Sequence, residues 1–218
     1  MPKLSKDRPT PRKSPKQTRS TETVSIIIEA AARILETEGH GIFSTNAVAR
    51  RAGVSIGTLY QYFPNKDAIV GALLVRETAQ LLTDAEATLR LPSGEAALTA
   101  LIAAAVAHQF RRPRLARLLD FEEARLPLDL QTRSVTNGVT QVALRILDSL
   151  LLPGHADKRV VARDVIAIMK GMIDAAGSNE EDDPVWLASR VRGAVFGYLS
   201  LAPSDARGAR AAKGRRIR

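Results

Sequence analysis

The chain has 218 residues, 45% of them hydrophobic, 4% aromatic and 25% charged, with a formal net charge of +9 and no cysteine. A chain of this length buries a substantial core in one or two domains, and without a thiol there is no disulfide, thiolate nucleophile or thiol redox sensor. No apolar run approaches the roughly 18–20 residues that span a bilayer and no hydrophobic stretch follows the charged N-terminus, so the expected location is cytoplasmic, with no membrane partner.

The positive charge is concentrated at the two ends. Residues 1–20 hold seven basic residues against Asp7 alone, and residues 203–218 hold six against Asp205 alone, which leaves the body slightly acidic. Both ends are rich in Pro, Ser, Gly and charge and poor in large apolar residues, so they are expected to be disordered when free.

In chain order, a first helix is expected from about Thr23 to Glu38, with Ile27, Ala30, Ala31 and Ile34 inward and Gly39 closing it. Ser44 or Thr45 caps a second helix carrying Ala47, Val48 and Ala49, and Gly53 supplies the positive φ that ends it. Ser55 caps a third, in which Leu59 and Phe63 share one face and leave Ile56, Gly57, Thr58, Tyr60 and Gln61 on the rest of the surface. Pro64 stops that helix, and Asn65 caps a longer one from Lys66 to about Leu89.

Pro92, Ser93 and Gly94 break the pattern before a strongly apolar helix from Glu95 to about Phe110. Further helices are expected over about Leu115 to Leu126, Asp129 to Leu152, Lys158 to Ala176 behind an Asp157 cap, and Pro184 to Leu201. The acidic run Glu180 to Asp183 reads as an N-cap and favourable charge at a helix start, not as a metal site. The sum is about nine helices without strand signals or repeats, so the fold class is all-α.

Two short helices joined by a glycine turn, the second exposed and aromatic, form the outline of a helix-turn-helix, whose second helix lies in the major groove. The stretch STNAVARRAGVSIGTLYQYFPNKD, preceded by the apolar helix IIIEAAARIL with Gly39 and followed by Lys66, closely resembles the DNA-binding domain of the TetR family of transcriptional regulators. One departure is Phe43, where many relatives carry Thr or a small residue; it leaves the N-cap of the second helix to Ser44.

The resemblance implies an N-terminal three-helix helix-turn-helix domain over 21–68, a larger helical ligand-binding and dimerisation domain over 69–202, and basic tails at 1–20 and 203–218. By its motif Thr58, Tyr60 and Lys66 hold phosphates, while Ile56, Gly57 and Gln61 face base edges. Chemistry agrees in outline: Gln pairs with adenine N6 and N7, Ile meets a thymine methyl, and Gly lets the helix approach the groove floor. Thr45 and Ser55 are further phosphate candidates, and Tyr62 belongs to the same helix while also suiting a place against helix one. The N-terminal arm, running straight into this domain, is placed to follow the DNA backbone or enter the minor groove.

Candidate effector-pocket residues are His108, Phe110, Phe121 and Trp186, aromatic or polar punctuation in otherwise apolar helices. Ala167, Gly171 and Ala175 in one helix, and Ser189, Gly193 and Gly197 in the last, fall at i, i+4 and i+8, and rows of small residues let helix axes approach closely. In the resembled family the last two helices form the dimer face. The expected partners are therefore a double-stranded DNA operator, a second copy of the chain and an unidentified small-molecule effector, with no cofactor. An enzyme is not expected, because His40, His108 and His155 lack metal-ligand spacing and there is no phosphate loop or nucleophile elbow. The competing class is a sequence-indifferent DNA architectural protein, suggested by the tails and opposed by the acidic body.

Overall fold

A computed structural model of the chain describes residues 18–125, 130–151 and 157–201, so both basic tails lie outside the described residues. The described residues form nine helices and no strand: α1 Thr18–Thr37, α2 Thr45–Ala52, α3 Ile56–Tyr62, α4 Lys66–Thr88, α5 Gly94–Arg111, α6 Pro113–Arg125, α7 Leu130–Asp148, α8 Lys158–Ser178 and α9 Pro184–Ser200. They divide into two compact units, one running to Gln80 and taking in α6 with the start of α7, the other built from the end of α4, α5, the rest of α7, α8 and α9.

The first unit closes around Ile27, Ala31, Ile34, Val48, Leu59, Phe63, Ile69 and Leu73, with Leu115 of α6 in the same core. Burying such side chains contributes about 1.5–3 kcal/mol each, which fixes α3 through Leu59 and Phe63 despite its seven residues. Beside this core lies an ion network. Arg112, in the turn before α6, donates from Nη2 to Glu36 Oε2 at 2.8 Å and from Nη1 to Glu29 Oε2 at 3.3 Å, and Arg76 of α4 donates to the same Glu29 oxygen at 3.0 Å. Burial alone would push the Glu29 carboxyl up, but the hydrogen bond from Arg33 and the charges of Arg112 and Arg76 outweigh it and hold Glu29 below the ordinary carboxylate range. Farther along α6, the buried Glu122 meets His40 Nε2 at 3.2 Å.

The second unit packs α5, α8 and α9 around Leu98, Leu101, Ile102, Ile146, Leu147, Val165, Leu187 and Val191. At Gly94 the start of α5 lies so close to the segment after α7 that a Cβ would press on Ser149 Oγ and fall 2.9 Å from Leu150 Cδ2, so a larger residue would have to displace those two side chains. Tyr198 of α9 donates to Asp164 Oδ2 of α8 at 2.5 Å.

Helix limits follow their caps. Asp157 Oδ1 accepts from the Arg159 amide at 2.9 Å, and Asp183 Oδ1 accepts from the Trp186 amide at 2.8 Å with Pro184 opening α9. The two largest differences from the sequence reading are at α1 and α7. α1 starts at Thr18 rather than Thr23, because the polar turn Thr18–Glu22 continues the helix without apolar spacing to announce it. α7 ends at Asp148 rather than Leu152.

Candidate nucleic-acid interface

The reading head is set by its caps. Ser44, not Thr45, caps α2, its Oγ accepting from the Ala47 amide at 3.2 Å, while the neighbouring Phe43 is buried in the core. Gly53 has φ +67°, the left-handed conformation that glycine adopts without a Cβ penalty, and its amide returns to Ala49 and Arg50 to close α2. Ser55 Oγ then accepts from the Thr58 amide at 3.0 Å and lies 2.8 Å from Thr58 Oγ1, so α3 starts two residues after the turn. Phe63 ends it, and Asn65 Oδ1 caps α4 by accepting from the Ala68 amide at 2.8 Å.

With Leu59 and Phe63 fully buried, α3 turns Ile56, Gly57, Tyr60 and Gln61 outward; Ile56 is 38% and Tyr60 44% exposed. Tyr60 Oη lies 3.2 Å from Thr45 Oγ1, which joins the two helices at their outer surface. Lys66 is exposed at the first position of α4. Tyr62 takes a different position: half-buried, it packs against the core and its Oη lies 3.3 Å from Ser20 Oγ of α1. Arg51 is tied to Glu38 at 2.9 Å, whereas Arg50 is exposed.

Seven of the nine residues named from the sequence for this surface thus lie on or beside α3, with Thr45 and Lys66 opening the flanking helices. The Thr45–Tyr60 contact was not read from the sequence; its signal would have been two hydroxyls 15 positions apart across a helix-turn-helix.

The residues named for an effector pocket are divided between the two units. Phe121 belongs to the first unit and is 67% exposed on α6; Trp186 is 60% exposed at the start of α9; His108 and Phe110 are half-buried at the end of α5. The six small residues of α8 and α9 are all exposed. Among the described residues no group of three or more His, Cys, Asp or Glu is placed to hold a metal ion, and no helix is long and apolar enough to cross a membrane.

Two capped helices held at a glycine turn, the second standing on a buried Leu59–Phe63 spine with a polar and aromatic outer face, define a helix-turn-helix DNA-binding protein. Residues 27–73 match the family described as "Bacterial regulatory proteins, tetR family". Residues 27–73 are thus a DNA-binding domain of the TetR family of transcriptional regulators.

The A-factor receptor protein of Streptomyces griseus is 34% identical over 64 residues, which are 29% of this chain and only 23% of that protein. The fatty acid metabolism regulator protein of Bacillus subtilis is 27% identical over 165 residues, 74% of this chain and 81% of that one. The structure of the fatty acid degradation regulator FadR from Bacillus halodurans superposes with a TM-score of 0.70 at 18% identity, covering 85% of this chain and 98% of that chain. FadR from Bacillus subtilis, in complex with stearoyl-CoA, gives 0.62 at 22% identity, covering 78% and 96%. At these identities the two structures speak for the fold.

Proposed function

We propose that the chain is a homodimeric repressor of the TetR type that binds a palindromic operator through α3 and leaves it when a small molecule binds. The observation that carries this reading is the outward face of α3. It combines a base-reading amide at Gln61, an apolar contact at Ile56 and a residue without a side chain at Gly57, framed by Tyr60, Thr45 and Lys66 for phosphates. A Cβ at Gly57 would meet only Ser55 Oγ, at 3.7 Å, an ordinary contact. The packing of the free protein therefore does not need glycine there, whereas a groove floor would.

Two-fold pairing is supported by the exposed small-residue rows of α8 and α9, where Cβ atoms at Gly171, Gly193 and Gly197 would find nothing within 4 Å. The effector acts through a difference in its affinity for the DNA-bound and released conformers. Because one Bacillus subtilis relative is named for fatty acid metabolism and the similar FadR structure from that organism holds stearoyl-CoA, long-chain acyl thioesters are the first class to try.

The test is readout by position. On a duplex recovered by selection, Gln61→Ala relaxes preference at one base position of each half-site by about 1–3 kcal/mol, whereas Tyr60→Ala and Lys66→Ala weaken all sequences alike. A uniform loss in Gln61→Ala would remove it from base reading.

A further inference from the structure

In the second unit, α7 and α8 leave between them an open groove of about 510 Å³. That volume lies within the range of small-molecule sites. On α7 its lining follows Asn137, Thr140, Gln141 and Leu144, spaced i, i+3, i+4 and i+7. This is the stripe by which a helix ordinarily presents apolar side chains to its neighbour; here three of the four positions carry an amide or a hydroxyl. On α8 the facing wall carries Arg159 and Arg163, one turn apart above the buried Ala162.

Neither guanidinium has an ion-pair or hydrogen-bond partner among the described residues. Asp157, also in the lining, accepts from the Arg159 amide as the helix cap, and Lys158 is paired with Asp148 at 3.3 Å. Like charges at i, i+4 repel by a few tenths of a kcal/mol, and cations in the first turn of a helix oppose its dipole. An anion in the groove would offset both effects, and two guanidinium forks one turn apart suit an anion with two charged groups.

We infer that the groove between α7 and α8 binds a small organic polyanion, carrying phosphate or carboxylate groups held by Arg159 and Arg163, with its neutral polar groups on Asn137, Thr140 and Gln141. This assignment goes beyond the repressor reading, needs no DNA, and is measured on binding alone, so each can fail without the other.

The test is calorimetric titration of the full chain with sodium pyrophosphate and, separately, with citrate, in chloride buffer of matched ionic strength. Saturable binding of one anion per chain is expected; Arg159→Ala and Arg163→Ala each weaken it about tenfold or more, and the double variant abolishes it. Tighter pyrophosphate assigns the groove to a phosphorylated ligand, and tighter citrate to a polycarboxylate. Weak anion binding by the basic tails survives in the double variant and is thereby subtracted. Without ligand the double variant melts at or above the wild type, and the anion raises only the wild-type melting temperature. Absence of saturable binding by either anion, wild-type binding in the double variant, or a marked loss of its unliganded stability would overturn the assignment.

Discussion

Replacing both Gly193 and Gly197 by Leu separates what the chain needs for its own fold from what a second copy needs. Both glycines are exposed within α9 and a Cβ at either meets nothing within 4 Å, so the isolated subunit has room for the new side chains. Removing glycine from a helix interior gains roughly 0.5–1 kcal/mol per site, about 1–2 kcal/mol for the pair. For a chain of this length that raises the melting temperature by roughly 2–8 °C if the face is solvent. If the face is a two-fold interface, four leucines enter a closely packed seam. At about 1–3 kcal/mol of overpacking each they cost roughly 4–12 kcal/mol, three or more decades of dissociation constant. Sedimentation velocity across a range of concentrations is the assay. We expect a folded monomer with weakened DNA binding; an intact dimer with a raised melting temperature would refute the assignment of this face.

Further expectations concern the head and the two hydrogen-bonded carboxylate pairs. Gly57→Ala leaves the free protein as stable or up to about 1 kcal/mol more stable by denaturation, yet weakens operator binding at least tenfold; unchanged affinity in an anisotropy titration would remove Gly57 from the groove floor. Arg112→Met costs about 1–2 kcal/mol at pH 7, a modest figure because Glu29 and Glu36 are each about a third exposed. Glu29 is held below its ordinary range, so its contribution is present above that range and is lost as pH falls through it. The difference from wild type should shrink toward pH 3 in urea melts, and an equal cost at pH 7 and pH 3 would contradict the electrostatic account. Burial, then the hydrogen bond to Asp164, pushes Tyr198 up to about 12. A raised value stabilises below the unfolded value of about 10 and is lost between there and about 12. Wild type should thus lose more stability than Tyr198→Phe between pH 9 and pH 11; parallel losses would show that the hydroxyl is not the cause.

Much of the helix pattern was legible because its signals are local. Ser55, Gly53, Asn65, Asp157 and Asp183 announce helix ends by chemistry that acts within three residues, and Leu59 with Phe63 announces a buried face by spacing alone. Ser44 and Thr45 are adjacent and both able to cap; Phe43, which cannot, already pointed to Ser44, whose Oγ accepts from the Ala47 amide. What stayed hidden depends on distant pairings. Arg112 finds Glu36 and Glu29 across 76 and 83 positions, and Arg76 finds Glu29 across 47, where sequence offers no periodicity to follow. The groove between α7 and α8 escaped for the same reason: its polar stripe on α7 reads as a solvated face until α8 is laid against it. Phe121 and Trp186, named for a pocket because they are aromatic residues among apolar neighbours, are both exposed.

The central claim is that α3 reads a specific sequence, twice, in a two-fold arrangement. Selection of bound duplexes from a random library at physiological salt tests it most directly. The account predicts an enriched palindromic motif whose half-sites lose preference at one position in Gln61→Ala; a bound pool with no enriched motif, its affinity set by salt alone, would contradict it.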